Sequence, residues 1–307
     1  MSTSPHRFGH IALLGPPNAG KSTLLNALLG QKLAIVSPKP QTTRNQLAGI
    51  LTLGDAQIVL IDTPGVHVPR GSRLNSRIVE AAWQALAQAQ AIVLVLDCPF
   101  YLQKPDLLEK DIKLLSRPVE RSGLPVIVAL NKLDALADVK NMLPVMARLG
   151  EAWPGAEIVP VSALKEKGLD QLLSVMTAHL PEGDSLYPED ELTTAPMRFL
   201  ASEIIREKLF LALSQELPYN TAVAIEHWQD TPKGARVNAV IYVSRDRHKG
   251  MVIGKGGKVL KDVGSKARQD LIELMGGPVH LELFVKVREG WTEDEFFLNE
   301  LGEEQGS

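Results

Sequence analysis

The sequence predicts two domains: an α/β domain built on a mostly parallel sheet with helices on both faces, then a smaller α+β domain. Three observations carry this. Apolar runs such as "AIVLVLD" (91–97) and "LPVIVALN" (124–131) alternate with helix-length segments through the first part of the chain. That alternation marks parallel strands covered on both faces. A stretch rich in Pro and acid, "PEGDSLYPEDELTTAP" (181–196), interrupts it, and beyond it the order changes to α-β-β-α-α-β.

The elements follow in order. "HIALLG" (10–15) reads as a strand and "KSTLLNALLG" (21–30) as a helix closed by Gly30. "AQIVLIDTPG" (56–65) is a strand running into a turn, "NSRIVEAAWQALAQA" (75–89) a helix, and 91–97 a strand. The segment 106–122 is expected to be helical as far as Pro118, and 125–132 is a strand. Residues 139–153 read as mostly helical with a kink at Pro144, 157–163 as a strand and 169–180 as the closing helix. This gives a first domain over 6–182 and a linker over 183–196. The second domain, 197–291, has a long amphipathic helix (197–217), strands at 221–229 and 235–245, and a short helix with a tight turn (249–257). A helix at 258–277 and an alternating strand at 279–291 complete it. The tail, 292–307, reads as acidic and frayed.

Composition narrows the classes. The chain has 307 residues, 45% of them hydrophobic, and a formal net charge of −3. That is enough apolar content for a core, and no overall basicity points to nucleic acid. The apolar runs are too short to span a bilayer, and the start lacks a signal-peptide apolar region. The single cysteine, Cys98, permits neither an internal disulfide nor a zinc cluster. A cytosolic protein fits best.

"GPPNAGKST" (15–23) lies between a strand and a helix. Backbone N–H groups of such a turn and of the following helix N-terminus point at phosphate oxygens. The expected binding loop is Gly15, Pro16, Pro17, Asn18, Ala19, Gly20, Lys21, Ser22 and Thr23. Lys21 would reach the β- and γ-phosphates, and the Ser22 hydroxyl would bind Mg²⁺. "DTPG" places Asp62, Thr63, Pro64 and Gly65 at the end of a strand; Asp62 would hold Mg²⁺ and the Gly65 N–H would meet the γ-phosphate. Between them "SPKPQTTRNQ" (37–46) has the character of a segment that orders around γ-phosphate and metal. Thr42 or Thr43 would supply its metal ligand, and Thr43 is favoured.

The base is read elsewhere. Guanine presents N1–H and an exocyclic amine on one edge, and a carboxylate accepts from both; adenine presents an acceptor there. In "NKLD" (131–134) Asp134 is that carboxylate, Asn131 would contact the other edge, and the Lys132 stem would pack over the ring. Ser162, Ala163 and Leu164 close another strand, with the Ala163 N–H facing guanine O6. Taken in order, these five stretches resemble the signatures of GTP-binding switch proteins, over roughly residues 8–182. In the Ras-like pattern a Gln just after the glycine of the third signature orients water; here Val66 stands there and cannot. Asn18 has two readings. It braces the loop, or its carbonyl helps bind a monovalent cation, K⁺, beside the phosphates with backbone carbonyls of 33–40. The second resembles a site in the branch of GTPases that includes the Era and tRNA-modification families. The catalytic set is then Asn18, Lys21, Thr43 and Gly65.

In the second domain Gly254, Lys255, Gly256 and Gly257 form Gly-x-x-Gly between two helices. Bare backbone there admits a nucleic-acid strand. Arg245, Lys249, Lys258 and Lys261 concentrate positive charge around it, a footprint for a phosphate backbone. Ile253 and Val259 fit a base-holding groove or the core. With the element order, this resembles a type II KH domain. The whole chain resembles the Era family of bacterial GTPases, through "QTTRN" (41–45), "DTPG", "SEIIREKL" (202–209), "LPYN" (217–220), "MVIGKGG" (251–257) and "VKVREGW" (285–291). The resemblance implies a P-loop GTPase with Mg²⁺, and K⁺ if the cation reading holds. It also implies binding to the 3′ region of 16S rRNA and a role in small-subunit assembly and growth control. A monomer is implied, cytoplasmic with peripheral inner-membrane association. A GTP-dependent protein without an RNA role, and a passive RNA scaffold, are the competing readings.

Overall fold

The structure is a computed structural model that describes residues 6–40, 42–67 and 73–303. Gln41, residues 68–72 and the last part of the tail, 304–307, lie outside the described residues. The described residues divide into two compact units, one ending at Thr194 and one from Ala195 on, with Arg73 and Leu74 counted in the second.

The first unit runs β1 (Arg7–Leu14), α1 (Lys21–Leu29), β2 (Leu47–Thr52), β3 (Ala56–Asp62), α2 (Arg73–Gln84), β4 (Ala91–Asp97), α3 (Cys98–Gln103), α4 (Pro105–Ser122), β5 (Val126–Asn131), α5 (Leu143–Ala152), β6 (Glu157–Pro160) and α6 (Leu169–Ala178). The strands form one sheet in the order β2-β3-β1-β4-β5-β6, parallel except for β2, which pairs antiparallel with β3. Strand alternation splits the apolar residues between two layers. Ala12, Ile61, Ile92 and Leu94 pack with Ala82, Leu115 and Leu149 of α2, α4 and α5 on one face. On the other, α1 packs against β2 and β3, and α6 against β5 and β6. The carboxyl ends of β1, β3, β4 and β5 thereby meet at one rim, where a ligand of such a sheet sits.

Three elements depart from the sequence expectation. β2 was not foreseen: "LAGILT" is broken by Gly49, yet a Cβ at Gly49 would lie 2.7 Å from Leu25 Cδ1, so the glycine is where α1 presses onto the strand. α3 follows directly on β4 because Asp97 caps it, its side chain accepting from the Phe100 N–H, with Pro99 in the first turn. Proline is tolerated there, since its missing N–H has no helical partner anyway. α4 continues to Ser122 past Pro118. The proline forfeits one hydrogen bond, and buried Val119 in the next position holds the last turn to the core.

The segment read as a linker lies along the sheet edge. Gln57, fully buried, donates from Nε2 to Thr52 Oγ1 (3.0 Å) and Tyr187 O (2.9 Å), and its Oε1 accepts from the N–H groups of Leu186 and Tyr187. The Ile50 N–H donates to Leu192 O (2.8 Å), and Thr193 Oγ1 donates to Ala48 O (2.6 Å). Leu192 and Thr193 thus pair two backbone groups on the open edge of β2, which would otherwise be exposed.

The second unit contains α7 (Met197–Ala212), β7 (Thr221–Thr231), β8 (Gly234–Val243), α8 (Asp246–Ile253), α9 (Lys258–Met275), β9 (Val279–Val287) and α10 (Glu295–Glu303). The three strands lie in the order β7-β8-β9, the first pair antiparallel and the second parallel. Ile205 and Leu209 of α7 and Val263, Ala267 and Leu271 of α9 pack on Val237, Ala239 and Ile241 of β8. The expected frayed tail is instead helical over Glu295–Glu303. Phe297 and Leu298 are buried with Trp291, and the Phe297 ring meets Tyr242 edge-on at 4.8 Å. Its acidic residues hid an apolar pair. Among the described residues, no helix is long and apolar enough to cross a membrane.

Candidate functional site

A cavity of about 550 Å³ opens at the strand rim, lined by residues 16–23, by Ile35–Pro38, Thr42, Thr43 and Gly65, and by Asp97, Phe100, Tyr101 and Lys132. The loop 15–20 links β1 to α1 and owes its path to three left-handed residues. These are Gly15 (φ +147°), Asn18 (φ +62°) and Gly20 (φ +97°). Two of them also make room: a Cβ on Gly15 would lie 2.2 Å from Val95 O, and one on Gly20 would lie 2.4 Å from Asn131 Nδ2. α1 starts at Lys21 with no side-chain cap and no acid in its first turn. Its N–H groups and dipole are therefore left to an anion.

Lys21 bends back into this cradle, its Nζ donating to Gly15 O and Pro16 O, both at 3.0 Å. Burial pushes its ammonium down to about 8, with Asp62 pulling the other way. A bound phosphate favours the charged form, so nucleotide binding above this value takes up a proton. Uptake of a proton is therefore expected at pH 8.5, and affinity falls by up to about tenfold per unit as pH rises further. Below pH 7 both states are charged and the exchange vanishes. Calorimetry in buffers of different ionisation enthalpy reads this directly; no uptake at pH 8.5 contradicts it.

Beside Lys21 three hard oxygens converge. Ser22 Oγ donates to Asp62 Oδ2 (2.6 Å) and lies 2.9 Å from Thr43 Oγ1. Hydroxyls and a carboxylate are the donor set Mg²⁺ prefers, with waters and phosphate oxygens completing the shell. Of the two threonines, Thr43 stands with this set, whereas Thr42 Oγ1 donates to Lys39 O and lies 2.5 Å from Ser37 Oγ. Thr63 turns away as well, donating to Leu13 O (2.6 Å). Gly65 approaches the loop so closely that a Cβ would lie 2.6 Å from Pro17 backbone. Val66 is buried, its N–H donating to Gly15 O (3.0 Å), so nothing at that position reaches water. His67 Nδ1 lies 2.9 Å from Gly65 O.

Asn131 ties the base motif together. Its Nδ2 donates to Ala19 O and its Oδ1 accepts from the Ala163 N–H, both at 3.0 Å. The Ala163 N–H, expected to face guanine O6, is thus already engaged by Asn131. Ser162 Oγ donates to Asp134 Oδ1, which aims an exposed carboxylate from the side. Asp134, Ser162, Ala163 and Leu164 are not among the residues that line the cavity; Asn131 and Asp134 tie Ala163 and Ser162 to the loop of Lys132. Asn18 Nδ2 is 3.3 Å from Pro38 O, within the stretch expected to share a cation. The sequence reading missed Asp97, Phe100 and Tyr101. The signal was present, because Asp97 ends β4 at the ligand rim.

In the second unit Gly254, Gly256 and Gly257 all have positive φ (72°, 61° and 75°), which L side chains adopt only with strain. A Cβ on Gly254 would lie 2.5 Å from Val259, whereas those on Gly256 and Gly257 would meet nothing within 4 Å. The turn is therefore bare on its outer side. α9 begins at Lys258 without a side-chain cap or an acid in its first turn. Lys255, Lys258, Lys261 and Arg245 are exposed around it, and Lys249 is half-buried. Val259 packs on the core. Burial and the neighbouring Arg247 and Arg245 depress the His248 pKa.

Comparison with known proteins matches this geometry. A family model described as "50S ribosome-binding GTPase" matches residues 10–132, and one described as "KH domain" matches residues 216–292. GTPase Era of Nitratidesulfovibrio vulgaris (strain DP4) is 54% identical over 304 residues, covering 98% of each chain. The chain belongs to the Era family of GTPases. GTPase Era of Xanthomonas axonopodis pv. citri is 43% identical over 98% of this chain and 99% of its own. Among solved structures, Era in complex with MgGDPNP and nucleotides 1506–1542 of 16S ribosomal RNA superposes with a TM-score of 0.91 at 38% identity. It covers 97% of this chain and 99% of that one. An Aquifex aeolicus Era variant bound to GDP and AlF4⁻ gives the same score and identity, over 96% and 99%. The two units of this Era-family chain are therefore a P-loop GTPase domain and a KH domain.

Proposed function

We propose that this chain is a GTP-hydrolysing switch that binds the 3′ region of 16S rRNA and acts in assembly of the small ribosomal subunit and in growth control. The observation that carries the nucleotide half is Asn131, which joins the phosphate loop at Ala19 to the Ala163 turn. The guanine motif and the phosphate cradle are thereby one site. Ser22, Thr43 and Asp62 would hold Mg²⁺, which when bound neutralises charge on the β- and γ-phosphates. Lys21 and the α1 amides orient the phosphates, Gly65 offers its N–H to the γ-phosphate, and Asp134 selects guanine. The RNA half rests on the bare 254–257 turn and its lysines, and on the rRNA complex of a relative. By family resemblance the protein acts as a cytoplasmic monomer with peripheral contact to the inner membrane.

With Val66 unable to orient water, added positive charge is assigned to K⁺. Half a turn of the Asn18 amide sets its carbonyl oxygen beside Pro38 O, making two neutral oxygen ligands. Turnover in KCl is expected to exceed that in NaCl at equal ionic strength by about tenfold or more; equal rates leave Asn18 as a brace. For the function as a whole, crosslinking to ribosomal RNA with each nucleotide bound should place the 254–261 segment at the 3′ end of 16S rRNA. Crosslinks scattered elsewhere would refute it.

A further inference from the structure

We infer that Asp97 is a positioning residue for guanine-nucleotide retention, acting through Lys132. This rests on the reading of 131–134 as the base site. β4 and β5 run in register so that Asp97 sits directly beside Asn131, and the next residue, Lys132, takes a left-handed backbone (φ +67°). The lysine lines the cavity, and its ammonium needs acceptors to stay there. It has two: Asn18 O at 2.7 Å and Asp97 Oδ2 at 2.7 Å. The Asp97 side chain is 19% exposed and that of Lys132 37%, so the carboxylate end of the pair is partly shielded from water while the ammonium end is open to it.

The two carboxylate oxygens have separate tasks. Oδ1 accepts from the Phe100 N–H at 3.0 Å and caps α3, which fixes the rotamer. Oδ2 is left pointing at Lys132. α3 in turn places Phe100 and Tyr101 in the cavity wall, and buried Tyr101 is anchored by donating to Asp111 Oδ2 (2.7 Å). Asp97 therefore stands between the base motif, the phosphate loop at Asn18 and the wall of the cavity. Its charge holds the lysine stem flat where a purine face must lie, so the ring meets a preset apolar surface rather than a mobile chain.

The competing role is capping alone, and chemistry separates the two. Asn caps a helix about as well as Asp, but it carries no charge. Asp97→Asn is expected to leave the melting temperature unchanged and to speed dissociation of fluorescently labelled GDP by about five- to tenfold, the weight of one charge-assisted contact. In a Lys132→Met background the same substitution should add nothing. A native dissociation rate in Asp97→Asn overturns the inference, as does an equal effect with and without Lys132. Failure of the native chain to bind GDP would instead sink the base-site reading.

Discussion

Asp134→Asn should lose GTP affinity on the order of 10³-fold and gain xanthosine triphosphate. The carboxylate is expected to accept from guanine N1–H and the exocyclic amine. Two charge-assisted hydrogen bonds at about 2 kcal/mol each give about 4 kcal/mol, or three orders of magnitude. An asparagine presents an amide N–H₂ where xanthine carries a carbonyl, so the pattern is restored by changing both partners. Ser162 hydroxyl holds the side chain from the flank and serves Asp or Asn equally. Turnover measured against both triphosphates reads the switch. Unchanged GTP preference would remove Asp134 from the site.

Reversing charge at Lys255 and Lys258 together should weaken binding of a single-stranded rRNA fragment by roughly 10²-fold at physiological salt and reduce the salt slope by about 1.4, the share of two phosphate contacts. Both side chains are exposed, and the backbone of the turn is set by Gly254, Gly256 and Gly257 rather than by them. The fold and the intrinsic GTP turnover are therefore expected to stay as they are. Filter binding of the Lys255→Glu/Lys258→Glu variant across a salt series checks it; native affinity and slope would place the RNA elsewhere.

Much of the architecture was legible because its signals are local. Four-residue gaps between glycines, apolar strand runs and a shift in texture at 181–196 are all visible without partners. What escaped was fixed by packing. Gly49 hid β2 because its reason is Leu25 on another element. α3 was not foreseen, because it depends on the Asp97 cap that makes Pro99 part of its first turn. The acidic tail concealed Phe297 and Leu298, whose burial depends on Tyr242 and Trp291. The linker read as free chain because Gln57, which satisfies its backbone, is about 130 residues away along the sequence.

In the site, residue types at motif spacing picked out the residues proposed as phosphate, metal and base ligands. Spacing could not separate Thr42 from Thr43; only the hydrogen bonds to Lys39 and to Ser22 do that. Nor could it show that Asn131 takes the Ala163 N–H, or that Asp97 holds Lys132. Both contacts join residues on different strands, and a single sequence carries no measure of that closeness.

A chain that is a GTP switch for RNA, as proposed, must bind RNA differently in its two nucleotide states. This is tested most directly by the affinity of the full chain for an oligonucleotide from the 3′ end of 16S rRNA, measured with GDP and with a non-hydrolysable GTP analogue at one salt concentration. Tighter binding with the GTP analogue is predicted, since a ligand shifts a partner's affinity only through a difference between states. Equal affinity in the two states would contradict the account.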